Sequence, residues 1–306
     1  MDDDGFDPHE WHVGDPADWG DGMAGVPDIP YMGYLNDDDD ADYSAGRSNT
    51  KIYKANALAD EAWRLKKQGR YEEALVLINQ AIENFFYDLK FHNRKAMILQ
   101  DMGRYEEALD VYDFALSISD DKIIRFNKAS CMYDLLDRKR YRGRITRADL
   151  DMVNEALKVL PEDENNYALL QLKGDFLEKL GEPVKAKICY LLSNKLYDEV
   201  SRAEVQLDVL KYVDETYIAV AGTKFYHGFK LFREGVVMDL IREPENEHDP
   251  DAIRVEIEGK TVGYVANSPS TLINEVKSAT DIKNSESTQA KFVFVLLGEW
   301  IIARLI

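Results

Sequence analysis

Small and apolar side chains recur at three- and four-residue steps through the middle of this chain, the spacing of helices that bury one face. Ala62, Leu65, Gly69, Tyr71, Ala74, Ile78 and Ala81 mark one unit, and Ala96, Leu99, Gly103, Tyr105, Ala108, Tyr112 and Ala115 mark a second, each position 34 residues further on. The heptapeptide Gly-Arg-Tyr-Glu-Glu-Ala-Leu stands identically at 69–75 and 103–109. That period predicts helix-turn-helix units stacked into a solenoid. After Tyr212 the helical period stops. Strands are predicted at Thr216–Ala221, Gly235–Arg242, Ala252–Ile257, Thr261–Val265, Ala290–Leu297 and Trp300–Leu305, the last two forming a hairpin around Gly298-Glu299. Between them Ser268–Ala279 reads as a helix, with Pro269 at its first turn.

Within the repeat, small residues at Ala62, Ala74 and Ala81 let two helices approach closely. Gly69 suits the left-handed residue that ends the first helix, and Tyr71 opens the second. This pattern resembles the tetratricopeptide repeat. A fourth copy runs from Ala168 to about Leu196, with Gly174, Leu177, Gly181, Ala186 and Tyr190 at matching offsets, and a helix from about Arg202 to Val213 is expected to close the array. The third copy is irregular. Ala129 and Ala156 stand 27 residues apart where Ala62 and Ala81 stand 19 apart, so eight extra residues separate its helices. Most of these positions read as packing residues and name no ligand.

The insertion includes Arg138, Lys139, Arg140, Arg142, Arg144 and Arg147, a basic run in an acidic chain, followed by Thr146 and Asp149 in a capping-box-like arrangement. Three readings of this possible basic patch stay open: a solvated loop and helix end, a phosphate-contacting patch with Tyr141 and Gly143, or an intramolecular counter-charge for the run Asp37–Asp40.

The formal charge of the 306 residues is −19, unevenly spread. Residues 1–50 carry a net −13, residues 51–213 a net −1 and residues 214–306 a net −5. Neither folded part is broadly basic, so a wide electrostatic footprint for nucleic acid is absent. Residues 1–50 are rich in Asp, Gly and Pro and too poor in apolar surface for a core, so disorder is expected. Their aromatics (Phe6, Trp11, Trp19, Tyr31, Tyr34 and Tyr43) leave docking on the chain's own groove or on a partner as an alternative to a plain solvating tail. His9 and His12 lack the scaffold of a metal site. Cys131 and Cys189 have no CxxC context and read as core residues of a reducing, cytoplasmic compartment. No apolar run approaches membrane-spanning length, so no membrane association is expected.

The segments Ala219-Val-Ala-Gly-Thr-Lys-Phe-Tyr226, Leu240-Ile-Arg-Glu-Pro-Glu-Asn-Glu-His-Asp-Pro-Asp-Ala-Ile-Arg-Val255 and Gly259-Lys-Thr-Val-Gly-Tyr-Val265 resemble the HIRAN domain over roughly 216–282. Pro244 and Asn246 shape a tight loop, Asp249 can cap its backbone N–H groups, and Gly263 permits close backbone approach. The resemblance implies an OB-like barrel that, in fork-remodelling eukaryotic members, holds the 3′ end of single-stranded DNA. By that resemblance the candidate nucleic-acid-binding residues are Lys224, Phe225, Tyr226, His248, Asp249, Tyr264 and Asn267. Phe225 and His248 would stack on bases, and Asp249 would accept a hydrogen bond from a terminal hydroxyl. Two positions depart from the DNA-binding members: Asn267 stands where a lysine holds phosphate, and Tyr264 replaces a histidine. DNA-end recognition, a different ligand or protein partner, and a purely structural barrel all remain readings of this domain.

The expected fold class is therefore α + β multidomain: an acidic, disordered tail at 1–50, a tetratricopeptide-repeat solenoid of about four repeats plus a closing helix at 51–213, and a HIRAN-like β-barrel domain at 214–306. The leading functional expectation is a non-enzymatic adaptor without catalytic residues, metal or cofactor. Its repeat groove would bind a protein or peptide, and its barrel a nucleic-acid end. A protein-interaction scaffold without nucleic-acid binding is the alternative. The acidic, aromatic tail suggests autoinhibition by an intramolecular contact.

Overall fold

The computed structural model describes residues 41–160, 166–212, 214–269 and 271–306, with side chains from Thr50 onward. The acidic segment to Asp40, including His9 and His12 and most of the tail aromatics, lies outside the described residues. The first helix, α1, is Ala41–Lys67. Residues 41–50, read from composition as part of an unstructured tail, are therefore helical.

Six helices follow: α2 (Tyr71–Asn84), α3 (Leu89–Asp101), α4 (Tyr105–Ile118), α5 (Lys122–Arg142), α6 (Arg147–Val159) and α7 (Tyr167–Lys179). Then come α8 (Pro183–Ser193) and α9 (Tyr197–Val209), the closing helix, which starts five residues before its expected position. Counted as repeats, the helix–turn–helix units are α1/α2, α3/α4, α5/α6 and α7/α8. Gly69, Gly103 and Gly181 end the first helix of three of these units at φ of +73, +73 and +77°, a conformation that glycine adopts without a Cβ penalty. Ala62, Ala74, Ile78 and Ala81 are fully buried, as are Ala96, Ala108, Tyr112 and Ala115. Cys131 and Cys189 are buried and unpaired, and burial pushes the Cys131 thiol up to about 12.

The irregular third copy is resolved by helix length. The first helix of its unit, α5, has 21 residues where α3 has 13. The eight extra residues add about two turns to that helix, so Arg138–Arg142 are its last turn and not a loop. Asp121 caps its start by accepting from Ile123 N at 2.8 Å and Ile124 N at 3.0 Å. After Gly143, Thr146 and Asp149 form a capping box that opens α6.

The C-terminal segment forms a closed six-stranded antiparallel barrel in the order β1-β4-β3-β2-β5-β6. Its strands are β1 (Tyr217–Ala221), β2 (Val237–Arg242), β3 (Ile253–Ile257), β4 (Lys260–Val265), β5 (Gln289–Leu296) and β6 (Trp300–Leu305). One face of the strands fills the interior with Ile218, Val220, Met238, Val255, Val262 and Ile301. Gly263 is needed where β4 crosses β1: a Cβ there would stand 2.4 Å from the Ala221 carbonyl oxygen.

The expected helix at 268–279 does not form. Only α10, Ala279–Ile282, is helical, capped by Ser278 and Asp281. The reason is tertiary. Lys277 N donates to Tyr217 O at 2.8 Å, which draws the segment alongside β1, while Ile273 and Val276 are buried against Tyr217, Ala219 and Trp300. That same apolar cluster contains Val184 of α8 and Ala203 and Leu210 of α9. Barrel and helical array therefore share a core, supplemented by a hydrogen bond from Gln206 Nε2 to Val295 O at 3.3 Å.

Candidate nucleic-acid interface

The sharp turn after β1 is set by Gly222 at φ +75° and continues into a 3-10 turn, Thr223–Phe225. Buried Thr223 anchors it, so the next side chains point outward. Phe225 is 77 % exposed, an unusual state for a large apolar ring. Lys224 Nζ lies 5.1 Å from the Phe225 ring centroid, within cation–π range. Tyr226 is exposed and tilts against Tyr264 of β4, with ring centroids 6.4 Å apart.

Tyr264 connects this turn to the segment after β2. Its hydroxyl donates to Glu243 Oε2 at 3.3 Å. The other Glu243 oxygen accepts from Arg254 Nε at 2.7 Å, and Asn246 Nδ2 donates to Glu243 at 3.0 Å. These bonds, led by that from Asn246, hold the Glu243 carboxyl below its ordinary pKa. Burial, with the Glu243 charge and Tyr226 beside it, pushes the Tyr264 phenol up. Asn246 Oδ1 accepts from His248 N at 3.0 Å and Asp249 N at 3.2 Å, an Asx-type closure that fixes the loop. The His248 side chain is exposed at its crest.

Asp249 is not a free acceptor. One carboxylate oxygen takes Asp251 N at 2.9 Å and the other takes Asn267 Nδ2 at 2.8 Å. Asn267 in turn accepts from Thr280 N at 3.1 Å. Asp251 binds Thr280 Oγ1 at 2.8 Å and Lys283 Nζ at 3.1 Å, which keeps its carboxyl below the ordinary range. Ring contacts and hydrogen bonds thus link Tyr226, Tyr264, His248, Asp249 and Asn267 through Glu243 and Asn246, and Lys224 and Phe225 immediately precede Tyr226 on the same turn. Phe225, Tyr226, His248 and Lys224 are the accessible members, while Asp249 and Asn267 organise the loop behind them. Sequence reasoning overlooked Glu243 and Arg254. The register signal was present, since Arg254 on β3 pairs with Tyr264 on β4.

The six basic residues of the insertion do not form a comparable patch. Arg138 packs on Tyr105 at 5.5 Å and donates to its hydroxyl at 3.3 Å. Lys139 pairs with Asp149, Arg140 with Asp137 and Asp175 at 2.6 Å each, and Arg147 with Glu182. Arg142 and Arg144 are exposed near Tyr141. Arg138, Arg140 and Arg147 cross-link successive units of the array, and Lys139 ties the two helices of its own unit.

Similar links run between the first helices of successive units. Arg94 donates to Asp60 at 2.8 Å, Asn127 to Asn93 at 2.9 Å, and Gln100 to Asp134 at 2.7 Å, each pair 34 residues apart. Trp63 lies on the same face, with Lys66 Nζ 4.6 Å from its ring and the Arg94 guanidinium 6.0 Å away. Its Nε1 is buried and has no acceptor among the described residues.

Among the described residues, no helix is long and apolar enough to cross a membrane. No curated protein matches the chain. Among solved structures it is similar to "MamA RS-1 ArsTM double mutant", at 16 % identity and a TM-score of 0.35, covering 46 % of this chain and 76 % of that one. It is also similar to "MamA MSR-1 C2", at 11 % identity and a TM-score of 0.30, covering 48 % and 89 %. A tetratricopeptide repeat model matches residues 89–122, the α3–α4 unit. A HIRAN domain model matches residues 213–285, ending before the two strands that close the barrel. The chain thus contains a tetratricopeptide repeat at 89–122 and a HIRAN domain at 213–285.

Proposed function

We propose that this protein is a non-enzymatic adaptor: its helical array holds a protein or peptide, and its barrel holds the 3′ end of a single DNA strand. The observation that carries the barrel reading is the exposed Phe225 ring, with Lys224 over it and Tyr226, Tyr264 and His248 in the same patch. Exposed aromatic rings give stacking surfaces that accept any base, worth about 1–3 kcal/mol each. A neighbouring cation meets the backbone. On the array, the face of the first helices is the partner surface.

Asp249 serves here by shape. Both of its oxygens have partners, one within the loop and one on Asn267 after β4, so its part is to hold the His248 loop in place, and any terminal hydroxyl would share an oxygen that is already engaged. The net −5 of the barrel segment and the neutral Asn267 favour the second reading, a protein-interaction scaffold without nucleic-acid binding.

Fluorescence anisotropy of a labelled single strand with a free 3′ end, at about 50 and 200 mM salt, separates the two. Binding at low salt that weakens in Phe225→Ala and His248→Ala supports the strand-end reading. Absence of binding at low salt, or indifference to both substitutions, leaves the scaffold reading.

A further inference from the structure

The connection between β1 and β2 is held at two buried residues, Thr223 and Phe232. Phe232 reaches the barrel interior and lies 6.1 Å from Phe292, ring centroid to ring centroid. Between these anchors the side chains of Lys224, Phe225, Tyr226, His227, Phe229 and Lys230 are all exposed. The connection does not extend away from the barrel. Gly228, at φ +59°, donates its N–H to Thr223 O at 2.9 Å, so the chain returns to its own starting point after His227. Consecutive Cα atoms are about 3.8 Å apart, which places Phe229 and Lys230 within one or two residue steps of that closure. The backbone that carries them thus returns to Thr223, the residue before the Lys224-Phe225 pair.

The charge of this connection differs from its surroundings. It contains Lys224, Lys230 and Arg233 against Glu234 alone, in a segment that is otherwise acidic. Elsewhere in the barrel Arg254, Lys283 and Arg304 lie on carboxylates. No carboxylate among the described residues pairs with Lys230. Phe229 is 42 % exposed, and its backbone is fixed by the bond from Phe232 N to its carbonyl at 3.1 Å. A half-exposed ring with an unpaired cation next to it repeats the combination at Phe225 and Lys224.

We infer that Phe229 and Lys230 form a second step of the strand-binding surface: Phe229 stacks on a base next to the one held at Phe225, and Lys230 takes the adjoining phosphate. This rests on the reading of the barrel as a single-strand site. It supplies from the β1–β2 connection the phosphate cation that Asn267 does not provide.

The test uses the full chain and an eight-nucleotide labelled deoxythymidine strand with a free 3′ end, titrated over a series of salt concentrations. Phe229→Ala is expected to weaken binding about tenfold, and Phe229→Tyr to leave it unchanged. Lys230→Gln is expected to flatten the slope of log K against log salt by about 0.7, the amount for one single-strand phosphate contact, and Lys230→Arg to preserve it. Both positions are exposed, and unchanged melting temperatures confirm that the fold is intact. If the unaltered protein binds the strand and neither Phe229→Ala nor Lys230→Gln changes affinity or slope, the second step is wrong while the strand-end site stands. If the unaltered protein does not bind at low salt, both fall together.

Discussion

The side-chain amide of Asn267 is a bridge: it donates to Asp249 at 2.8 Å and accepts from the backbone of Thr280 at 3.1 Å. A residue that looks in sequence like a missing phosphate ligand is therefore a tie between the loop after β2 and the short helix α10. Replacing Asn267 with Ala removes both bonds and leaves the half-buried Asp249 carboxylate short of a partner, while the exposed Thr280 N–H turns to solvent. A loss of about 1–3 kcal/mol in stability is expected, measurable by chemical denaturation, together with weaker strand binding through a loosened His248 loop. An unaltered denaturation midpoint would show that the tie is dispensable.

Gly174 and Tyr190 fit each other by size. A Cβ on Gly174 would stand 2.2 Å from the Tyr190 ring, and that ring is held by its hydroxyl bond to Asp175 at 2.8 Å. The corresponding pair in the first unit is Ala62 with Ile78. Gly174→Ala should thus cost about 1–3 kcal/mol by overpacking. The double variant Gly174→Ala, Tyr190→Ile restores the first unit's combination and should recover part of that loss in a thermal melt. A double variant no more stable than the single one would argue against the size rule.

The core shared by α8, α9 and the barrel makes the barrel dependent on the array. Tyr217, Ala219, Trp300 and Ile302 are buried against it together with Val184, Ala203 and Leu210. Leu210→Ala should destabilise by about 2–5 kcal/mol, with the array and barrel melting in one transition. A fragment containing only residues 214–306 exposes that apolar surface and is expected to aggregate, whereas one beginning before Pro183 retains it. A soluble, cooperatively folded 214–306 fragment would contradict this.

Acid should weaken the joints between units. Burial pushes the carboxyls of Glu182 and Asp149 up, but Lys185 with Arg147, and Lys139 with Thr146, outweigh it, and both pKa values lie below ordinary carboxylates. The folded-state values are thus below those of the unfolded chain. The stability they contribute is fully present above about pH 5 and disappears as pH falls through the folded values. Melting temperature measured from about pH 6 downward should drop below about pH 5, and Glu182→Gln should show a lower plateau with a shallower acid slope. An equally steep slope in that variant would assign the effect to other carboxylates.

Much of this was legible in the chain itself. The 34-residue period located four units, and the eight-residue excess in the third matched two added turns of α5. The strands between Tyr217 and Leu305 were legible from alternation. Failures came where tertiary contacts competed with local preference. The segment from Ser268 to Lys277 carries the proline of a helix start, yet a hydrogen bond from Lys277 to Tyr217 and burial of Ile273 and Val276 keep its described residues irregular. The basic run at 138–147 reads as a ligand patch by composition. Its partners, Tyr105, Asp175 and Glu182, lie 33 to 35 residues away in sequence, one repeat distant, where only the stacking of helices brings them into contact.

By itself the sequence determined the repeat, the barrel strands and the tight Pro244–Asp249 loop, because periodicity, glycine positions and side-chain capping act over a few residues. The tertiary structure decided which polar groups are free. It engaged Asp249 and Asn267 with each other, paired Lys139, Arg140 and Arg147 with carboxylates and Arg138 with Tyr105, and left Phe225, His248, Phe229 and Lys230 exposed. Hydrogen-bond and ion-pair partners are set by proximity in space, and that proximity arises only when the helices stack and the barrel closes against them.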